Sequence, residues 1–83
     1  MQLVDIPKID SAKIEDTNLV IITEGNELRY NVRELSERLE KASIKDLNVF
    51  RISPSGYGIH WPNLDEDISL TGLINKAQKN HGA

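Results

Sequence analysis

Four consecutive apolar residues, Leu19-Val20-Ile21-Ile22, constrain this chain more than any other feature, because an alternating segment comes soon after them. Past the short loop Glu24-Gly25-Asn26, Leu28, Tyr30 and Val32 alternate with Glu27, Arg29 and Asn31. The apolar run suits a strand in the middle of a sheet, covered on its better face. Period-two alternation after a loop whose Gly and Asn tolerate positive φ predicts a hairpin with one buried face. A sheet is therefore the foundation, and little chain is left to cover it. The 83 residues make one domain, and a chain of that length buries only about 60–65% of the surface its unfolded form exposes.

Upstream, Ile9 to Ile14 also favours extended structure and joins the stretch Asn18 to Thr23 through a turn at Glu15-Asp16-Thr17. Met1 to Ser11 shows no clear period, and Pro7 removes a ladder donor. Residues 1–8 are accordingly expected to be an N-terminal arm, ahead of a single domain over residues 9–80. Downstream, Asn31 followed three residues later by Glu34 matches a reciprocal capping arrangement, so a helix should begin there. Val32, Leu35, Leu39 and Ala42 give it an apolar side, and Glu34 with Arg38 and Glu37 with Lys41 stand four apart in the favourable order. The expectation is an amphipathic helix of about three turns.

Ser43 to Asn48 reads as a connection. Phe50 and Ile52 then alternate with Arg51, and Ser53-Pro54-Ser55-Gly56 turns into a partner strand ending at Trp61, where Pro62 has no N–H to continue the ladder. Ser69 is a good N-cap for a last helix with Leu70, Leu73, Ile74 and Ala77 on one side and Lys76 and Lys79 near its end. Asp65, Glu66 and Asp67 would lie just ahead of its partial positive charge. The order is β-β-β-α-β-β-α, an α+β antiparallel sheet with helices packed on one face. Its expected core is Leu19, Ile21, Leu28, Tyr30, Leu35, Leu39, Phe50, Ile52, Ile59, Trp61, Leu70 and Leu73.

The net charge of −3 gives no general attraction to phosphate or to an anionic membrane surface, so nucleic acid is not the expected partner. Lys41, Lys45 and Arg51, and Lys76, Lys79 and His81, are each offset by nearby acids. Cysteine is absent, which removes disulfides, Cys-based zinc sites and thiol nucleophiles together. The first residues carry an early acid and no basic-then-apolar signal pattern. No apolar run approaches the roughly 20 residues of a membrane span. A cytoplasmic location is the expectation.

His60, Asp65, Glu66 and Asp67 supply an imidazole and hard oxygens, but not at the alternate positions of a calcium loop, and helix-start electrostatics accounts for the acids. No metal or cofactor is expected. With Ile59 and Trp61 facing inward, period two sends His60 outward. No phosphate loop, nucleophile elbow or zinc-protease helix occurs, and a domain this small rarely encloses a pocket of about 300 Å³; the chain is not expected to be an enzyme. Trp61 reads as core, whereas Tyr57, at a hairpin tip between Gly56 and Gly58, is the aromatic best placed to meet a partner.

The stretch from Gly58 to Leu70, with Trp61-Pro62-Asn63, Asp65 and Asp67, and with Phe50 before and Leu73 after it, resembles the small bacterial proteins of the domain of unknown function 2442 family. In the front half, Leu19, Gly25 and Val32-Arg33-Glu34-Leu35 extend the resemblance, which runs from about Ile9 to Leu73. It implies no catalytic residue. It implies instead a neighbour encoded nearby, a small protein of the domain of unknown function 4160 family, in an arrangement that resembles a toxin and antitoxin pairing. Some relatives carry a helix-turn-helix domain after this module. The resulting expectation is a non-catalytic protein-binding module, an adaptor or antitoxin-like partner of a small basic protein, bound through Tyr57, His60, Asn63, Asp65 and Glu66. The alternative is a DNA-associated transcriptional regulator acting as a dimer.

Overall fold

Leu19, Val20 and Ile21 are all completely buried, which demands cover on both faces of one strand. In the computed structural model, which describes residues 8–81 and the side chains of 8–75, that strand is the middle of three. The first sheet runs β1 (Ser11–Glu15), β2 (Asn18–Thr23) and β3 (Asn26–Asn31), antiparallel and in sequence order. Its inward rows are Ala12-Ile21-Leu28 and Ile14-Leu19-Tyr30. Period two sends Val20 outward, where its row partners are Lys13 and Arg29. Flanking Glu15 and Glu27 hold these cations, with Lys13–Glu15 at 2.9 Å, Arg29–Glu15 at 3.0 Å and Arg29–Glu27 at 2.6 Å. Charged heads stay in water while their aliphatic stems close over Val20.

Hydrogen bonds from Lys13 and then Arg29 hold the Glu15 carboxyl below its ordinary value, and the bond that Arg29 donates to Glu27 is foremost in raising Arg29. A depressed carboxyl stabilises the fold above its unfolded-state pKa, and that contribution disappears as pH falls through the folded value. Urea unfolding followed from pH 7 downwards should show a loss of stability below about pH 4.5 that is shallower in Glu15→Gln. Equal acid limbs in the two proteins would remove Glu15 from the account. Burial raises Tyr30, so its phenol should ionise above the usual tyrosine value, with stability falling as pH climbs past about 10.

The turn between β2 and β3 pairs Thr23 with Asn26 and leaves two residues in the loop. Both are left-handed, Glu24 at φ 50° and Gly25 at φ 78°, as a primed two-residue turn requires. The positive φ expected at Asn26 falls on Glu24 instead, because Asn26 is already in the ladder.

The three-turn helix expected from Asn31 is broken into shorter pieces. Asn31 does cap, accepting from the Arg33 backbone N–H at 3.0 Å, but only for a 3₁₀ turn, Val32–Glu34. Ser36 is extended (φ −163°, ψ 164°) and its hydroxyl accepts from Leu39 N–H, starting α1 (Glu37–Lys41) afresh. Ser43 does the same for α2 (Ile44–Leu47), in what reads from sequence as a mere connection. Serine prefers caps to helix interiors, and here that preference defeats the apolar period. One Arg33 nitrogen then donates to the carbonyls of Leu39, Glu40 and Ala42, satisfying the end of α1.

The second sheet comprises β4 (Arg51–Ile52), β5 (Gly58–Trp61) and β6 (Glu66–Ser69), again antiparallel in sequence order, followed by α3 (Leu70–His81). The architecture is α+β in the expected order, its strands shared between two three-stranded sheets. Ser69 caps α3 as expected, its hydroxyl accepting from Gly72 N–H at 2.9 Å. The side chains of Lys76, Ala77, Lys79 and His81, and all of the arm before Lys8, lie outside the described residues.

A short segment stitches the sheets together. Ile9 N–H donates to Gly56 O at 2.8 Å, Asp10 N–H to Ile22 O at 2.8 Å, and the Thr23 hydroxyl to Lys8 O at 2.9 Å. Between the sheets lies one core, in which Leu19, Ile21, Val32, Leu39, Leu47, Ile59, Trp61 and Leu70 are essentially inaccessible. Leu73 is also buried, while Leu28, Tyr30, Leu35, Phe50 and Ile52 are partly buried around it. The Trp61 ring stands 6.1 Å from that of Phe50, and its indole N–H donates to Leu47 O at 3.0 Å.

Candidate functional site

Alternation along β5 decides which residues face outward. Ile59 and Trp61 point into the core, so Gly58 and His60 point out. The register sets Gly58 opposite Ser69 and His60 opposite Asp67. On the β4 side the ladder brings Arg51 opposite His60, and Ser53 N–H bonds Gly58 O at 2.9 Å. The outward face is therefore a row of small groups, Ser53, Gly58 and Ser69, beside a row of larger polar ones, Arg51, His60 and Asp67.

Gly58 supplies no side chain to fill that row, and a groove of about 270 Å³ lies over it. Ser55 and the half-exposed Tyr57 stand at one end, and Asp67 borders the other. His60 Nδ1 lies 2.7 Å from Asp67 Oδ1. A carboxylate only accepts, so Nδ1 carries the proton in this bond. His60 is only 25% exposed on this outward face, whereas the Asp67 side chain is 78% exposed. Lys8 Nζ stands 6.0 Å from the Tyr57 ring centroid, at the outer limit of a cation–π contact.

The five residues read from sequence as one surface are spread along a hairpin, with Tyr57 ahead of it, His60 within β5, and Asn63, Asp65 and Glu66 in or just after its turn. Tyr57 precedes β5, while Asn63 and Asp65 lie in the turn after it, so four or more residues at about 3.3 Å each separate them. The turn is also anchored from behind. Asn63 donates its amide to Asp46 Oδ1 at 3.2 Å, and Arg38 donates to Asp65 O at 2.6 Å and Leu64 O at 3.3 Å. Asp65 is left-handed (φ 49°) and projects a carboxylate that is 94% exposed. Glu66 and Asp67 belong to a strand rather than to the approach of a helix, and Glu66 bonds the Asp67 N–H at the edge of the sheet, 3.2 Å away. Asp67 is the outward-facing acid that the sequence reading did not group with these residues. Its cross-strand place beside His60 becomes visible only once β6 is recognised.

Among the described residues no group of three or more His, Asp and Glu could hold a metal ion, and no helix is long and apolar enough to cross a membrane. No curated protein matches the chain. A crystal structure of a protein of unknown function from Rhodospirillum rubrum ATCC 11170 is similar, with 32% sequence identity and a TM-score of 0.78, over 87% of this chain and 89% of that one. The model of the family described as protein of unknown function (DUF2442) matches residues 9–79. The fold, the Trp61-Pro62-Asn63 turn held by two helices, and this match over nearly the whole length lead to one conclusion: the chain belongs to the DUF2442 family.

Proposed function

We propose that this protein is a non-catalytic binding module that holds a small basic protein against the outward face of its second sheet, as an adaptor or antitoxin-like partner in the cytoplasm. What supports the reading is the combination of an exposed aromatic with projecting acids on one hairpin. Tyr57 is 41% exposed, and the Asp65 and Asp67 side chains are 94% and 78% exposed. Acids of this kind steer and orient a cationic partner, and an aromatic rim residue supplies contact area. Neither end of the hairpin is free to collapse, because the ladder holds one and Arg38 and Asn63 hold the other.

The test is co-expression with the neighbouring open reading frame, this chain alone carrying the tag. A stoichiometric small basic protein in the eluate is the expected result, and elution as a lone monomer or homodimer overturns the reading. Asp65→Asn with Glu66→Gln should then weaken capture. Asparagine tolerates the left-handed backbone of Asp65, so the pair removes charge without strain. Undiminished capture at low salt would move the contact away from this turn.

A further inference from the structure

We infer that the groove over Gly58 is a receptor for one arginine side chain of that partner, an assignment that rests on the protein-binding reading above and gives it a recognition element. The groove is open because Gly58 has no side chain; a Cβ there would stand 3.0 Å from Ile68 O and 3.6 Å from Ser53 Oγ, and Ile59 and Ile68 contribute to its lining. An aromatic ring stands at one end and a carboxylate borders the other. Gly58 and Asp67 belong to adjacent cross-strand pairs of one outward face, about 6–7 Å apart along the strand.

An extended side chain must therefore offer an apolar stem and a cationic end. Arginine does so, with a planar fork that pairs with carboxylates and stacks on aromatic rings. A wholly apolar guest would cover Asp67 without pairing it, which is costly. An anionic guest such as a phosphate would be repelled by Asp67, the one charged residue among those lining the groove. Lysine would meet the charge but not the ring, since its ammonium is a compact, strongly hydrated point. His60 is a positioning residue: its Nδ1–H on Asp67 Oδ1, at 2.7 Å, fixes the carboxylate and leaves the rest of an exposed group to the guest.

The test needs no partner. Amide shifts of the whole protein are followed by NMR while a capped Gly-Ser-Arg-Ser-Gly peptide is added at low salt, and the titration is repeated with lysine and with citrulline in place of arginine. Shifts centred on Gly58, Asp67 and Ser69, strongest for arginine and lost with citrulline, are expected. Asp67→Asn should weaken the arginine peptide by about ten- to a hundredfold, the range for a hydrogen bond to a charged group. Tyr57→Leu should abolish the preference for arginine over lysine, and it remains informative if Asp67→Asn fails to fold. Equal responses to the three peptides, or shifts at Asp65 and Glu66 that leave Gly58 unmoved, overturn the assignment. A captured partner together with an unmoved Gly58 would overturn the groove alone. An arginine-selective shift with no captured partner would overturn the broader reading and keep the groove.

Discussion

Trp61→Ala should leave a chain barely able to fold. The indole is fully buried, packs near Phe50 and donates to Leu47 O, and truncations of this kind cost about 3–5 kcal/mol. A folded chain of 83 residues has a total stability of about 4–12 kcal/mol. Thermal unfolding followed by circular dichroism should show a midpoint lowered by about 12–40 °C. Trp61→Phe separates the two contributions. It keeps most of the apolar volume while removing the donor to Leu47 O and part of the ring, so its cost should be nearer 1–3 kcal/mol. A fall of under 5 °C for the alanine variant would mean that Trp61 is not the centre of the core.

The second large effect is expected at a residue that sequence period alone assigns to a connection. Leu47→Ala should destabilise by about 2–5 kcal/mol, because Leu47 is completely buried in the four-residue helix α2. A helix that short has little stability of its own and depends on what it buries. Leu47 and Trp61 lie in one core, and Leu47→Ala keeps the carbonyl that accepts from the indole but loosens the short helix that positions it, so their effects should not add. A cycle built from Leu47→Ala and Trp61→Phe should give a coupling of about 0.5–3 kcal/mol in chemical denaturation. Strict additivity would show that α2 and β5 are independent supports.

Both residues show why part of this fold is legible in the amino-acid order and part is not. The hairpin of β2 and β3 is legible because density and alternation are both strong there. The start of α3 is legible because Ser69 is both a good cap and the neighbour of an apolar stripe. The helix after β3 is misread where Ser36 and Ser43 divide a run whose apolar spacing stays helical throughout: spacing records which side is buried and says nothing of a backbone that turns away between two buried residues. Strand β6 escapes because Glu66 and Asp67 suit a helix approach as well as they suit an edge strand, where charge discourages further pairing. The outward burial of Val20 cannot be read from its own position either, since it depends on stems from Lys13 and Arg29 two strands apart. For the candidate site, Tyr57 and the acids are visible as residue types. Their spread along a hairpin, and the pairing of His60 with Asp67, come from a register that exists only after β6 is placed.

The stitch at Ile9 and Asp10 has a consequence for how the molecule assembles. Each sheet is a meander of strands consecutive in sequence, so its pairings close only short loops and can form early. The bond from Ile9 to Gly56 closes a span of 47 residues (56 − 9), and closing a longer loop costs more chain entropy. The two halves should therefore organise first and be fastened to each other last. In the finished protein, undoing that fastening is then the first step backwards, so amide exchange at Ile9 should report parting of the halves before either meander unravels.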